Sequence, residues 1–240
     1  GILRKSSNIG AAKIAVMLGE ERLYRYLKEY GLGQPTHIEV PGEEGGILHP
    51  VKSWSKVDIT RIAMGHSVAV TALQMLGIMS CIGNDGFRMK PYLVQKVVDK
   101  DGVVLRETRP EAVARPITER TAARMRRMLL EVTREGGTGT KAAVPGYTVA
   151  GKTGTAEKID AAGRYVRNAN ISSFVGMIPA NRPEVAIIVV LDNPQPIRTG
   201  GQTAAPVFAQ IAEPVVRYLD LSRAEATGQP AAGRAGEEAL

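Results

Sequence analysis

One cysteine, one tryptophan and three phenylalanines in 240 residues rule out several kinds of protein. A lone Cys81 cannot close an internal disulfide or seed a cysteine-rich metal site. Set in the apolar run from Leu76 to Ile82, it reads as a small core residue. The histidines, His37, His49 and His66, are scattered with no i,i+4 pair and no nearby acidic ligand set, so no metal is expected; no organic cofactor is expected either. Aromatic residues make up 5% of the chain, which leaves no visible base-stacking platform. Basic residues outnumber acidic ones, 31 to 24, but they are dispersed. Their densest group, Arg120, Arg124, Arg126 and Arg127, falls on an expected helix and reads as a solvated face. Nucleic acid is therefore not an expected partner. No run approaches the ~18 apolar residues of a membrane span, and no signal peptide opens the chain. The start, Gly1-Ile-Leu-Arg, reads like the middle of a protein, so a longer parent is expected.

What is present suits a globular domain, with 44% hydrophobic and 23% charged residues. Helices are expected at 8–18, capped by Ser6, Ser7 or Asn8, and at 20–30, with Gly31 as the residue after its end. A loop rich in Gly and Pro follows, from Gly33 to Pro50. A short helix at 56–64, capped by Ser53 or Ser55, and a buried one at 71–82 come next. Residues 92–98 and 103–105 form a hairpin about Asp101-Gly102, and 118–135 an amphipathic helix ending at Gly136-Gly137. Three strands are expected at 147–155, 172–178 and 185–191. A closing helix at 203–219 is interrupted or kinked by Pro206 and Pro214. The tail, 222–240, has almost nothing to bury and reads as disordered. Helices first, then an antiparallel meander, then a covering helix make an α+β fold. The domain spans 1–221, with a helical part at about 8–135 and the sheet with its closing helix at about 145–221.

Two short motifs carry chemistry. Ser6-Ser7-Asn8 precedes a helix, and Lys152-Thr153-Gly154-Thr155 ends a strand. They match the S-x-N and K-T-G signatures of the penicillin-recognising serine enzymes. By composition about 0.2 matches to the first and about 0.07 to the second arise by chance, so finding both in this order is informative.

The likeness extends along the chain, through Lys5-Ser-Ser-Asn-Ile-Gly, Val40-Pro-Gly-Glu43, Gly65 to Gln74, Gly151 to Ala156 and Ala205-Pro-Val-Phe208. Over about residues 2–221 it resembles the C-terminal part of class B penicillin-binding proteins, most of all the division-specific FtsI type. It departs from many relatives at Ala72, where they carry proline, and at His66-Ser67. The resemblance implies a D,D-transpeptidase that attacks D-Ala-D-Ala with a serine, forms an acyl-enzyme and passes the acyl group to an amine, and that β-lactams acylate. In such an enzyme Ser6 relays a proton to the leaving nitrogen, and Asn8 holds the substrate amide. Lys152 offers positive charge to the substrate carboxylate, and Thr153 and Thr155 add hydroxyl donors. Gly154 lets substrate lie against the strand, and the Thr155 N–H serves the oxyanion hole.

The family's nucleophile is the serine of an S-x-x-K motif upstream of S-x-N, yet only five residues precede Ser6. The one S-x-x-K present, Ser53-Trp54-Ser55-Lys56, comes in the wrong order and reads as a helix-capping turn. The family's five-stranded sheet likewise takes two strands from upstream. Ala186 to Leu191 is apolar on both faces, as a central strand is. The chain is thus expected to be a piece, inactive alone, that needs its own N-terminal segment. Its partners by resemblance are peptidoglycan stem peptides, β-lactams, a lipid II-polymerising glycosyltransferase and division proteins. The whole protein would be anchored in the inner membrane with this domain on the periplasmic side. A D,D-carboxypeptidase or β-lactamase, or a non-catalytic binding module, remain alternatives. Of lesser candidates, Ser172 and Ser173 either line the groove or are exposed strand polarity. Tyr165 and Arg167 read as surface loop, and Trp54 as packing.

Overall fold

The computed structural model describes residues 1–160, 162 and 164–223. Its helices are α1 (Ile2–Lys5), α2 (Asn8–Leu18), α3 (Glu20–Glu29), α4 (Asp58–Met64), α5 (Ala72–Gly83), α6 (Glu119–Thr133) and α7 (Ala204–Tyr218). Its strands are β1 (Arg88–Met89), β2 (Lys96–Val98), β3 (Val104–Glu107), β4 (Ala112–Ala114), β5 (Ala150–Ile159), β6 (Tyr165–Ile178) and β7 (Val185–Asp192). The main sheet has the order β5-β6-β7, antiparallel throughout, and two small ribbons pair β1 with β4 and β2 with β3.

The sheet is the middle of three layers. On one face Phe174 and Ile178 of β6 pack with Val189 of β7 against Phe208, Ala212 and Val216 of α7. The Phe174 and Phe208 rings meet edge to face with centroids 4.9 Å apart. On the other face Val175 and Met177 of β6 pack against Met79 and Ile82 of α5 and Leu129 of α6. Burial on both faces explains why Phe174 to Ile178 is apolar without alternation. Strand β7 packs against α5 and α7 but is mostly half-buried, with Val189 buried and Val190 exposed. This mixed helix and antiparallel-sheet architecture is the expected α+β class.

Helix ends follow local chemistry. Thr71 and Gln74 form a capping box at the start of α5, Gln74 N–H to Thr71 Oγ1 at 3.1 Å and Thr71 N–H to Gln74 Oε1 at 2.9 Å. The buried Gln74 amide also donates to the carbonyls of Gln34 (2.9 Å) and Gly45 (2.7 Å), binding the Gly/Pro-rich loop to α5. Gln74→Met keeps the length but strands those carbonyls, so we expect a loss of about 2 kcal/mol in chemical denaturation. An unchanged midpoint would contradict this.

Several expectations need correction. Neither Ser53 nor Ser55 caps α4; Asp58 at its first position instead accepts from the Ser55 N–H and hydroxyl, at 2.6 and 2.7 Å. Arg126 is not on a solvated face, because it bends under α6 to Asp85 (2.9 Å) and the Ile82 carbonyl (3.0 Å). Tyr165 and Arg167 belong to β6 rather than to a loop. The β5–β6 hairpin continues past the core through pairs such as Glu157 with Asn170, where water on both faces removes any apolar signal. Helix α7 is not interrupted: Pro206 lies in its first turn, where no N–H is needed, and the helix runs through Pro214. The ribbon strands β1 and β4 are too short to read from sequence. From residue 224 onward, the tail expected to be disordered lies outside the described residues.

Candidate active site

The turn joining α1 to α2 places Ser6 in the left-handed region, at φ 51°, as the residue that ends α1. Ser7, not Ser6, is the cap of α2; its hydroxyl accepts from the Gly10 N–H at 3.2 Å. Ser6 therefore keeps its hydroxyl for other work. Arg4 fixes the turn from the side by donating to the Glu135 carbonyl beyond α6. Asn8, the first residue of α2, lines the same groove.

On the facing wall Lys152 projects from β5. Its Nζ donates to Ser6 Oγ at 2.8 Å and to the Thr153 carbonyl at 2.8 Å. Burial lowers the Lys152 pKa below the ordinary lysine value, since a desolvated ammonium is disfavoured. The groove has a volume of about 670 Å³ and is lined by Ser6, Asn8 and Lys152 to Thr155 together with His66, Thr138 and Gln202.

The floor is a row of hydroxyls and main chain. Thr153 Oγ1 and Thr138 Oγ1 lie 3.0 Å apart, and Thr155 Oγ1 accepts from the Gly200 N–H at 3.1 Å. Gly200 passes so close to the sheet that a Cβ there would sit 2.2 Å from the Ser173 carbonyl oxygen and 2.4 Å from that of Gly154. A Cβ on Gly154 would stand 2.4 Å from Ser173 Oγ, so this glycine is also required by the neighbouring strand. Ser172 neither lines the groove nor is exposed: it is fully buried and its hydroxyl donates to the Arg198 carbonyl, holding the 198–201 segment down.

The penicillin-binding protein transpeptidase domain model matches residues 1–213. The chain belongs to that family. It is 36% identical to the penicillin-binding protein PbpB of Mycolicibacterium smegmatis over 239 residues, 96% of this chain but 37% of that protein. It is 33% identical to the peptidoglycan D,D-transpeptidase FtsI of Escherichia coli, over 92% of this chain and 36% of that one. Among solved structures it is similar to penicillin-binding protein 3 of Mycobacterium tuberculosis complexed with ampicillin, at TM-score 0.87 and 36% identity, covering 95% of this chain and 52% of that one. It also resembles the apo transpeptidase domain of Burkholderia pseudomallei penicillin-binding protein 3, at TM-score 0.82 and 32% identity, covering 93% and 65%. The transpeptidase-family chain thus spans about a third of the length of these curated relatives.

Within this transpeptidase fold, all the residues singled out by the two motifs come to one groove. Thr138, Gly200 and the rim residue His66 were not assigned to the site from sequence. Their only signals were glycine-rich stretches, Gly136 to Gly139 and Thr199 to Thr203, and the unusual His66-Ser67. His66 Nδ1 and the Tyr165 hydroxyl lie 3.0 Å apart at the groove mouth, with ring centroids 6.0 Å apart. Ser53 is elsewhere, donating to the Pro50 carbonyl at 2.8 Å in a 3₁₀ turn. Trp54 packs edge to face on Tyr24, centroids 6.2 Å apart, and its Nε1 donates to the His49 carbonyl.

Proposed function

We propose that this chain is the acyl-transfer half of a serine D,D-transpeptidase that cross-links peptidoglycan stem peptides in septal wall synthesis. The observation that carries the reading is the 2.8 Å contact from Lys152 Nζ to Ser6 Oγ, inside a groove floored by Thr153, Gly154 and Thr155. A cation, a hydroxyl relay and a glycine-floored strand suit a peptide that ends in a carboxylate.

The nucleophile is a serine upstream of Gly1 in the full-length protein. Its Oγ attacks the carbonyl of the D-Ala-D-Ala amide; the Oγ–C bond forms and the C–N bond breaks. The leaving amine of D-Ala takes a proton relayed through Ser6, whose oxygen is already polarised by Lys152. Asn8 holds the substrate amide, Lys152 and the Thr153 and Thr155 hydroxyls hold the terminal carboxylate, and the Thr155 N–H stabilises the oxyanion. An acceptor amine then attacks the ester, forms the cross-link and returns the proton to the serine. β-Lactams stop at the ester, in line with the ampicillin bound to the M. tuberculosis relative. The full-length protein works from the outer face of the bacterial inner membrane beside a lipid II-polymerising glycosyltransferase.

Intact mass after incubation with a penicillin tests this. The full-length protein is expected to gain one adduct and residues 1–240 none. An adduct on residues 1–240, or none on either, would overturn the reading.

The lowered Lys152 pKa gives a pH dependence with a definite sign. Lys152 acts as a cation, and a lysine with a depressed pKa loses its proton at lower pH than a free one. The kcat/KM for acylation should therefore fall on the alkaline side with a midpoint below the ~10.4 of an ordinary lysine. Lys152→Arg should remove that limb. A limb unmoved by the substitution would assign it to another group.

A further inference from the structure

Next to the groove a second cavity opens, of about 390 Å³, a size within the ~300–1,000 Å³ of small-molecule sites. The two spaces share α4 and the turn after it. Ala63, Met64 and His66 line the groove, whereas Asp58, Ile62 and Ser67 line the cavity. Neighbouring Cα atoms lie about 3.8 Å apart, so a chain that leaves the groove over His66 meets the cavity at the next residue.

Trp54, the one tryptophan of the chain, borders this cavity beside Ile62 and Val68. Its indole is held in place by the Nε1 bond to the His49 carbonyl, at 2.9 Å, and by the Tyr24 ring, which it meets at 79°. Asp58 supplies a carboxylate. The Ser55 hydroxyl and N–H hold it below the usual carboxylate range, and both end on Oδ2, which leaves acceptor capacity on Oδ1. Ser67 holds φ 54°, in the region that favours glycine, and so keeps a hydroxyl at the cavity despite the backbone strain. Among the described residues that line the cavity there is neither lysine nor arginine, so a phosphate or carboxylate finds no such counter-charge. An indole beside aliphatic side chains, rimmed by a carboxylate, an imidazole and a hydroxyl, suits a neutral ring with an apolar C–H face and polar edges. A sugar is such a ring.

The main sheet leads from one space to the other. Strand β5 runs from Lys152 past Thr155 to Ile159, which pairs with Tyr165, and the Tyr165 hydroxyl lies 3.0 Å from His66 Nδ1. A stem peptide laid along β5 is thereby led to His66 and Ser67. On the transpeptidase reading above, on which this inference rests, the carboxylate end of the stem lies at Lys152, and its other end is attached to the glycan of the polymer. We propose that the cavity binds the N-acetylated hexosamine that bears the stem peptide, with its ring against Trp54 and its hydroxyl and amide groups on Asp58 and Ser67. A free peptide then fills only the groove, and a peptide on its glycan fills both spaces.

The test gives the full-length protein two donors, a bare stem peptide ending in D-Ala-D-Ala and the same peptide on an N-acetylmuramyl sugar, and follows D-Ala release. The wild type should favour the sugar-bearing donor about 10-fold in kcat/KM, through KM. Trp54→Ala should bring that ratio to about 1. Ser67→Gly, at a backbone position that suits glycine, should lower it about 3-fold, as loss of one hydrogen bond does. The bare peptide is the denominator, so a general loss of folding cancels. A wild-type ratio of about 1, or a ratio unmoved by either variant, overturns the proposal. If the wild type turns over neither donor, the transpeptidase reading fails instead. Calorimetry of both donors on the same proteins then decides the sugar site by the same ratio, taken in Kd.

Discussion

Lys152→Ala in the full-length protein is expected to slow penicillin acylation by about 10²–10³-fold, the range set by removing one preorganised charge-stabilising group. The substitution removes the cation facing the substrate carboxylate and leaves Ser6 Oγ without its 2.8 Å donor. Stability should change little, since the ammonium borders an open groove and is not packed in the core. Lys152→Arg should recover only part of the rate: it keeps the charge, but a planar fork cannot reproduce a single short contact to Ser6 and the Thr153 carbonyl. Ser6→Ala should be costly alone and add little to Lys152→Ala, because the two side chains act as one unit. Additive losses in that double-mutant cycle would mean that the contact is incidental to the chemistry.

Gly200→Ala, although it alters no polar side chain, should cost about 10²-fold in acylation, as a misplacement of about 1 Å in a catalytic groove does. The new Cβ would have to occupy space 2.2 Å from the Ser173 carbonyl oxygen. The neighbours are main-chain oxygens of paired strands and cannot swing aside, so the 198–201 segment must lift. Lifting it breaks the Gly200 N–H bond to Thr155 Oγ1 and turns that hydroxyl away from the substrate side. KM should rise and kcat fall together. A variant with wild-type kinetics would show that the segment is free to yield, and would remove Thr155 orientation from the account.

The parts legible in the sequence were those written in consecutive residues. Lys152 to Thr155 and Ser6 to Asn8 carry their chemistry in their spacing, and residues 172–178 and 185–191 announce two strands. What stayed hidden depends on distance in space. Thr138 matters because its hydroxyl meets Thr153, and Gly200 because main chain passes beneath it; neither fact has a local signature. Ser172 looked like strand polarity, yet its hydroxyl anchors Arg198 from inside the core. Arg126 shared a cluster with three exposed arginines and differs only because Asp85 lies within its reach. At α4 the capping chemistry was recognised but its direction reversed, since a serine before a helix and an aspartate at its start can each cap the other's backbone.

The Ser6–Lys152 hydrogen bond joins residues 146 positions apart. Contacts of such long range form late, because the intervening chain must be ordered before its ends can meet. During synthesis the helical layers emerge first, and the turn bearing Ser6 is complete long before β5 leaves the ribosome. Any truncated product ending before Lys152 would carry the Ser6 wall of the groove with nothing facing it. The site is therefore also a proofreading device of the fold itself: the groove exists only in chains extended past β5 and folded back onto their first helices.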